Sequence, residues 1–127
     1  MPPMKSAPEA IFQDQVVRMA RGQGWLVFHP APFQVRPGVW RSDGKGFPDL
    51  VLIHPGGRGI IFAELKAEGG KLSEEQVRWG ESIVKSGGEY YLWRPKDIQS
   101  IALRLTQTYR AYWEATFAGP DRDTEEP

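Results

Sequence analysis

Apolar positions along the chain alternate between the 3.6-residue period of a helix and the two-residue period of a strand, and the changes of period mark the elements. Ser6-Ala-Pro-Glu9 has the form of a capping box with Pro8 in the first turn, and Phe12, Val16, Met19 and Ala20 follow at helical spacing. This predicts a helix over about 7–22, stopped by Gly22 and Gly24. Trp25-Leu-Val-Phe-His29 reads as a short strand closed by Pro30 and Pro32. Residues 30–47 show no periodicity and carry Arg36, Arg41 and Lys45, which predicts a long, flexible basic loop.

Asp49-Leu-Val-Leu-Ile-His54 and Gly59-Ile-Ile-Phe-Ala-Glu-Leu-Lys66 form a predicted hairpin around Pro55-Gly-Gly-Arg58. Both strands are apolar on both faces, so helices should cover the sheet on each side. Ser73-Glu-Glu-Gln76 opens a helix to about Lys85, with Val77, Ile83 and Val84 inward and Gly87-Gly88 as the stop. Glu89-Tyr-Tyr-Leu-Trp-Arg94 is a fourth strand. Ile98, Ile101, Ala102, Leu105, Tyr109 and Tyr112 then keep a helical period, predicting one long helix over about 97–117.

The order α-β-β-β-α-β-α gives an α/β fold, a mixed sheet of about four strands flanked by helices. At 127 residues the chain has room for one core. We expect a single domain over 1–118, followed by a disordered acidic tail over 119–127.

Composition narrows the chemistry. Without cysteine there is no disulfide, thiolate zinc site or cysteine nucleophile, and His29 and His54 are the two imidazoles, so a metal must sit mainly on oxygen. No apolar run reaches membrane-spanning length and the N-terminus lacks a signal-peptide core, which points to the cytoplasm. Sixteen basic and sixteen acidic residues cancel, which taken alone disfavours a nucleic-acid partner. The segment 119–127 holds four of the acids and one base, however, leaving 15 bases against 12 acids in the rest.

If the hairpin is centred between Gly56 and Gly57, residues whose numbers sum to 113 face one another, and Asp49 lies opposite Glu64. Alternation then groups Asp49, Val51, Ile53, Ile60, Phe62, Glu64 and Lys66 on one face, with Leu50, Leu52, Ile61, Ala63 and Leu65 on the other. An ordinary cross-strand ion patch, with Lys66 neutralising two acids, is the plain explanation. Here the patch interrupts strands that are apolar on both faces, and two acids in a half-buried site repel unless a cation intervenes. Mg²⁺ suits carboxylate and water oxygens and keeps positions open for a phosphate.

GFPDLVLI at 46–53 followed by FAELKAEGGKLSEEQ at 62–76 resembles the PD-(D/E)xK nuclease signature, with Pro48-Asp49 and Glu64-Leu65-Lys66 as its halves. More narrowly, the chain resembles the stand-alone VRR-NUC family of bacteriophages and bacteria over about residues 8–106. The supporting features are Glu9, Gly24-Trp25 with His29 after it, the Gln76 helix, and YYLWRPKD at 90–97. The resemblance implies a restriction endonuclease-like core that hydrolyses phosphodiester bonds with Mg²⁺ or Mn²⁺ and needs no small-molecule organic cofactor. It implies Asp49 and Glu64 as metal ligands, the Leu65 carbonyl as a further one, and Lys66 as the group that orients the attacking water and stabilises the phosphate.

Several positions keep two readings. Glu9 matches an N-terminal-helix acid that helps to bind metal in related nucleases, or it closes the capping box with Ser6. Gln76 borders the catalytic site in the family, or it is a capping-box residue of Ser73. Position 80 is Gly where some relatives carry the tyrosine of QxxxY. His29 contacts phosphate or a metal-bound water, or is structural. Arg36, Arg41 and Lys45 grip DNA phosphates, or are simply solvated. His54 is given no role, and Trp79, Trp93, Tyr109, Tyr112 and Trp113 are expected in the core or a subunit interface.

The resulting expectation is a metal-dependent endonuclease acting on branched DNA such as Holliday junctions, working as a homodimer in a bacterial cell or phage-infected host. The competing expectation is a non-catalytic DNA-binding or assembly module that keeps the fold. The absence of a helix-turn-helix or other base-reading motif favours recognition of DNA shape over sequence.

Overall fold

The computed structural model of the chain describes residues 5–31, 33–41 and 44–118. Helix α1 runs Ala7–Gly22, followed by strands β1 (Leu26–Phe28), β2 (Phe33–Arg36), β3 (Val39–Arg41), β4 (Leu50–Ile53) and β5 (Ile60–Leu65). Then come α2 (Glu74–Lys85), β6 (Glu89–Trp93), a 3₁₀ turn at Pro95–Asp97, α3 (Ile98–Leu105), α4 (Tyr109–Trp113) and a π-helical turn at Glu114–Ala118.

One sheet has the order β1-β4-β5-β6, with β1, β4 and β5 antiparallel and β6 parallel to β5. The parallel step requires a crossover, and α2 supplies it. The β4/β5 register pairs Leu50 with Ala63, Val51 with Phe62, Leu52 with Ile61 and Ile53 with Ile60, all summing to 113 as expected. Leu50, Leu52, Ile61, Ala63 and Leu65 are fully buried on the inner face. They meet Phe12, Val16 and Ala20 of α1 and Ile101 and Leu105 of α3 in one core. Each large aliphatic side chain buried this way stabilises the fold by about 1.5–3 kcal/mol.

The outer face is only partly covered. Phe47 meets Phe62 edge-on at 6.1 Å and Trp79 of α2 at 5.0 Å, closing the half that approaches α2. At the other end the cross-strand row Leu26, Ile53, Ile60 stays exposed. Helices on both faces were expected because both faces are apolar, but α2 lies along β6 and does not reach this row.

Two further expectations are corrected. The presumed loop at 30–47 contains the antiparallel ribbon β2–β3, turned at Pro37-Gly38, where Gly38 has φ +77°. Its strands are short and a register shift lies between Gln34 and Arg36, which hides the two-residue period. The predicted long helix over 97–117 is broken after Leu105, because Thr108 accepts from Ala111 N at 3.1 Å and caps a new helix. The apolar period crosses the break intact and so does not reveal it.

The end of the sheet remote from Asp49 is bolted by Arg104, which is 1% exposed. Its Nε donates to Glu89 Oε2 at 2.5 Å and its Nη2 to Glu89 Oε1 at 2.8 Å. The remaining donors satisfy the carbonyls of Gln107 at 2.8 Å and Arg58 at 2.9 Å. Burial opposes the charge, but the Glu89 hydrogen bonds outweigh it and hold the guanidinium pKa above its ordinary value. His54, for which the sequence suggested nothing, is a structural residue: Nε2 bonds Gln23 O at 2.8 Å and Nδ1 accepts from Gly56 N at 2.9 Å. Among the described residues no helix is long and apolar enough to cross a membrane. Residues 119–127, expected as an acidic tail, lie outside the described residues.

Candidate active site

The segment Gly46-Phe-Pro-Asp49 is fixed before it enters β4. Gly46 has φ +88°, and a Cβ there would lie 2.5 Å from the Glu75 carbonyl carbon, so glycine alone lets the segment touch the start of α2. Trp79 Nε1 donates to Lys45 O at 3.0 Å, tying the same segment to α2, and Pro48 is buried.

Asp49 follows, one step outside the last β4/β5 pair, opposite Glu64 on β5. Asp49 Oδ2 accepts the Leu65 backbone N–H at 2.8 Å, which fixes the carboxylate, while Oδ1 receives Lys5 Nζ at 2.6 Å. Glu64 is 2% exposed. Its Oε2 accepts from Gln76 Nε2 at 2.9 Å. Burial, then the Asp49 charge and a side-chain hydrogen bond with Asp49, push the Glu64 carboxyl up to about 8, against the opposing fields of Lys5 and Lys66.

Gln76 completes the capping box and also reaches Glu64. Ser73 Oγ accepts from Gln76 N at 3.2 Å and Gln76 Oε1 accepts from Ser73 N at 2.8 Å, completing the capping box. The other end of the same amide reaches Glu64. Glu9 does not close a box: Ser6 Oγ caps α1 through Glu9 N at 3.3 Å, while the Glu9 carboxylate turns to Lys66 Nζ at 3.9 Å. Lys66 continues β5, and its N–H donates to Trp93 O at 3.0 Å, which holds the backbone past the strand end.

The remaining expected residues divide. His29 stands close enough to feel the charges of Asp49 and Lys5, its ring nitrogens lie 3.2 and 3.4 Å from Gln13 Nε2, and burial lowers its pKa. The Leu65 side chain is in the core, its backbone N–H on Asp49. Arg36 and Arg41 are carried together on the β2–β3 ribbon. Lys45 joins Glu75, Arg78, Trp79 and Ser82 around a shallow open depression of about 390 Å³. Trp79 and Trp93 serve the fold as expected, and Tyr112 is buried against the C-terminal turns.

Sequence reasoning missed Lys5, Arg78 and Tyr90. Tyr90 packs on α2 at Gly80, where a Cβ would come within 2.7 Å of its ring. Its hydroxyl pKa is pushed up to about 12 by burial and by the charges of Glu64 and Asp49. A tight Gly80–aromatic contact was the available signal, but nothing in the sequence pairs position 80 with position 90.

The donor set suits a hard divalent cation. Two carboxylates crowd a buried position where one of them is driven to keep its proton, the stress that a bound cation relieves. Among the described residues no three His, Asp or Glu side chains converge, so backbone carbonyl and water oxygens would complete the coordination.

The comparisons point to a nuclease-type domain. Residues 38–97 match the family model of the VRR-NUC domain. A solved structure titled "VRR_NUC domain" matches with a TM-score of 0.57 and 28% identity, covering 76% of this chain and 95% of that one. The chain is thus similar to the VRR-NUC domain over residues 38–97 and in its fold, in agreement with the resemblance in its motifs. No curated protein matches the sequence.

Proposed function

We propose that the domain is a Mg²⁺- or Mn²⁺-dependent DNA endonuclease, selective for branched DNA and working as a homodimer. The observation that carries the catalytic reading is the convergence of Asp49 and Glu64, each held by its own donor, at the end of a strand pair that continues into Lys66. Asp49 and Glu64, with the Leu65 carbonyl, would hold the cation. When bound, the cation supplies a Lewis acid that polarises the phosphate and lowers the pKa of water.

The chain's own residues do the rest. The Leu65 N–H and the Gln76 amide fix the two carboxylates, so that little reorganisation is needed as charge develops. Lys66 orients the attacking water and stabilises the pentacovalent phosphate, and Glu9, 3.9 Å away, aims its ammonium. Arg36, Arg41, Lys45 and His29 receive the DNA backbone, which fits recognition of shape. A homodimer would present two such sites for paired cuts across a two-fold junction.

The test is incubation of the protein with a synthetic four-way junction, a linear duplex and a single strand, each with Mg²⁺, Mn²⁺ or EDTA. The proposal expects metal-dependent cuts, fastest on the junction. Equal cutting of all three removes the junction preference and keeps the nuclease; binding without cutting under any metal leaves a non-catalytic DNA-binding module.

A further inference from the structure

Lys5 precedes the N-cap Ser6 and lies 44 positions from Asp49 in sequence, yet its ammonium is 2.6 Å from Asp49 Oδ1 in a half-buried ion pair. The other Asp49 oxygen is already committed to the Leu65 N–H, so Lys5 takes the remaining one. Its charge also reaches Glu64 and His29. Lys66, by contrast, is directed to Glu9 at 3.9 Å. The ammonium of Lys5 therefore does for Asp49 what an incoming cation would do.

We propose that Lys5 is a tethered cation that holds the metal position at Asp49 in the metal-free protein and is displaced when a divalent cation loads. The inference rests on the metal-site reading above and deepens it. An ammonium at hydrogen-bond distance from Asp49 Oδ1 competes with a dication there, because the two positive charges repel at one oxygen. The exchange is structurally simple. Lys5 lies outside α1, whose first turn is held independently by Ser6 Oγ on Glu9 N and by Ser6 O on Ala10 N, so the side chain can leave without unwinding the helix. Displacement also frees a positive charge beside the place where the phosphate must sit. If the pair is closed about nine-tenths of the time, the apparent metal affinity is lowered about tenfold.

The test is Mn²⁺ binding by isothermal titration calorimetry to the full chain, its Lys5→Met and Lys5→Arg variants and Asp49→Asn, with thermal melting of each in EDTA and in Mn²⁺. Lys5→Met should bind Mn²⁺ about five- to tenfold more tightly than the parent, melt lower in EDTA and gain more from the metal. Lys5→Arg, which keeps the charge, should stay close to the parent. Equal or weaker binding by Lys5→Met overturns the role of Lys5, while loss of binding in Asp49→Asn alone would still support the metal site. If no chain binds Mn²⁺, the metal-site reading fails and the role of Lys5 with it.

Discussion

Asp49 and Glu64 stand opposite one another one step beyond the last β4/β5 pair, and Glu64 is driven up to about 8 by its burial and by the Asp49 charge. The metal-free fold thus binds a proton that the unfolded chain, with Glu64 near 4.5, releases over the same range. Glu64 accordingly contributes stability that is fully present below about 4.5 and is lost as pH rises through about 8. Urea denaturation in EDTA should give a falling midpoint between pH 5 and pH 8, and Glu64→Gln should flatten that fall. In the same window Mn²⁺ should bind more tightly as pH rises and release a proton on binding, which calorimetry in buffers of different ionisation enthalpy reads directly.

Gln76 joins the α2 cap to the Glu64 carboxylate, and two variants separate these roles. Gln76→Ala keeps the Ser73 Oγ cap on its backbone N–H but loses the reciprocal bond to Ser73 N and the bond to Glu64, so it should cost about 1 kcal/mol of stability together with most of the activity. Gln76→Glu keeps an acceptor for Ser73 N but sets a second anion against Glu64, so it should retain more stability while activity falls at least as far. Chemical denaturation and cleavage rates, measured side by side, check the split.

How far this was readable from sequence depends on the range of the contacts. The hairpin register, and with it the Asp49–Glu64 pair, follows from a Gly-Gly turn between two strands adjacent in sequence, both local features. The cap at Ser73 is equally local. Lys5 reaches its partner across 44 positions, Tyr90 reaches α2 through an interhelix-to-strand contact, and neither leaves a periodic trace. The break at Thr108 is hidden because the apolar stripe continues through it, and the β2–β3 ribbon because its strands are too short to display a period. The motif therefore names the proposed ligands, while the side chains that hold, crowd or screen them become visible only in the fold.

Arg104 and Glu89 should matter for stability and not for chemistry, since they close the sheet end remote from Asp49. Glu89→Ala leaves a guanidinium that is 1% exposed without its carboxylate, and removing one partner of such a pair costs about 3–5 kcal/mol. Gly59→Ala reaches the same place by another route: φ is +129° and the added Cβ would lie 2.8 Å from Arg104 Nη2. Both should lower the melting temperature, with cleavage per folded molecule at a permissive temperature close to the parent's.

Substrate grip should be separable from chemistry. Arg36→Ala, Arg41→Ala and Lys45→Ala each remove one positive charge from the proposed DNA-facing side. Each should weaken binding to an uncleavable junction in Ca²⁺ and reduce the magnitude of the salt slope, log Kd against log salt, by about 1. A variant with an unchanged slope identifies a residue that does not touch phosphate.

The central claim is that Asp49 and Glu64 form a metal-dependent catalytic site. It is tested most directly by the Mn²⁺-dependent cleavage rate of a four-way junction for the parent and Asp49→Asn, in which the side chain keeps its shape and loses its charge. The account predicts cutting by the parent that EDTA abolishes, and a loss of at least about a hundredfold in Asp49→Asn with the folded state retained. Cutting that persists in EDTA, or an Asp49→Asn rate equal to the parent's, would contradict it.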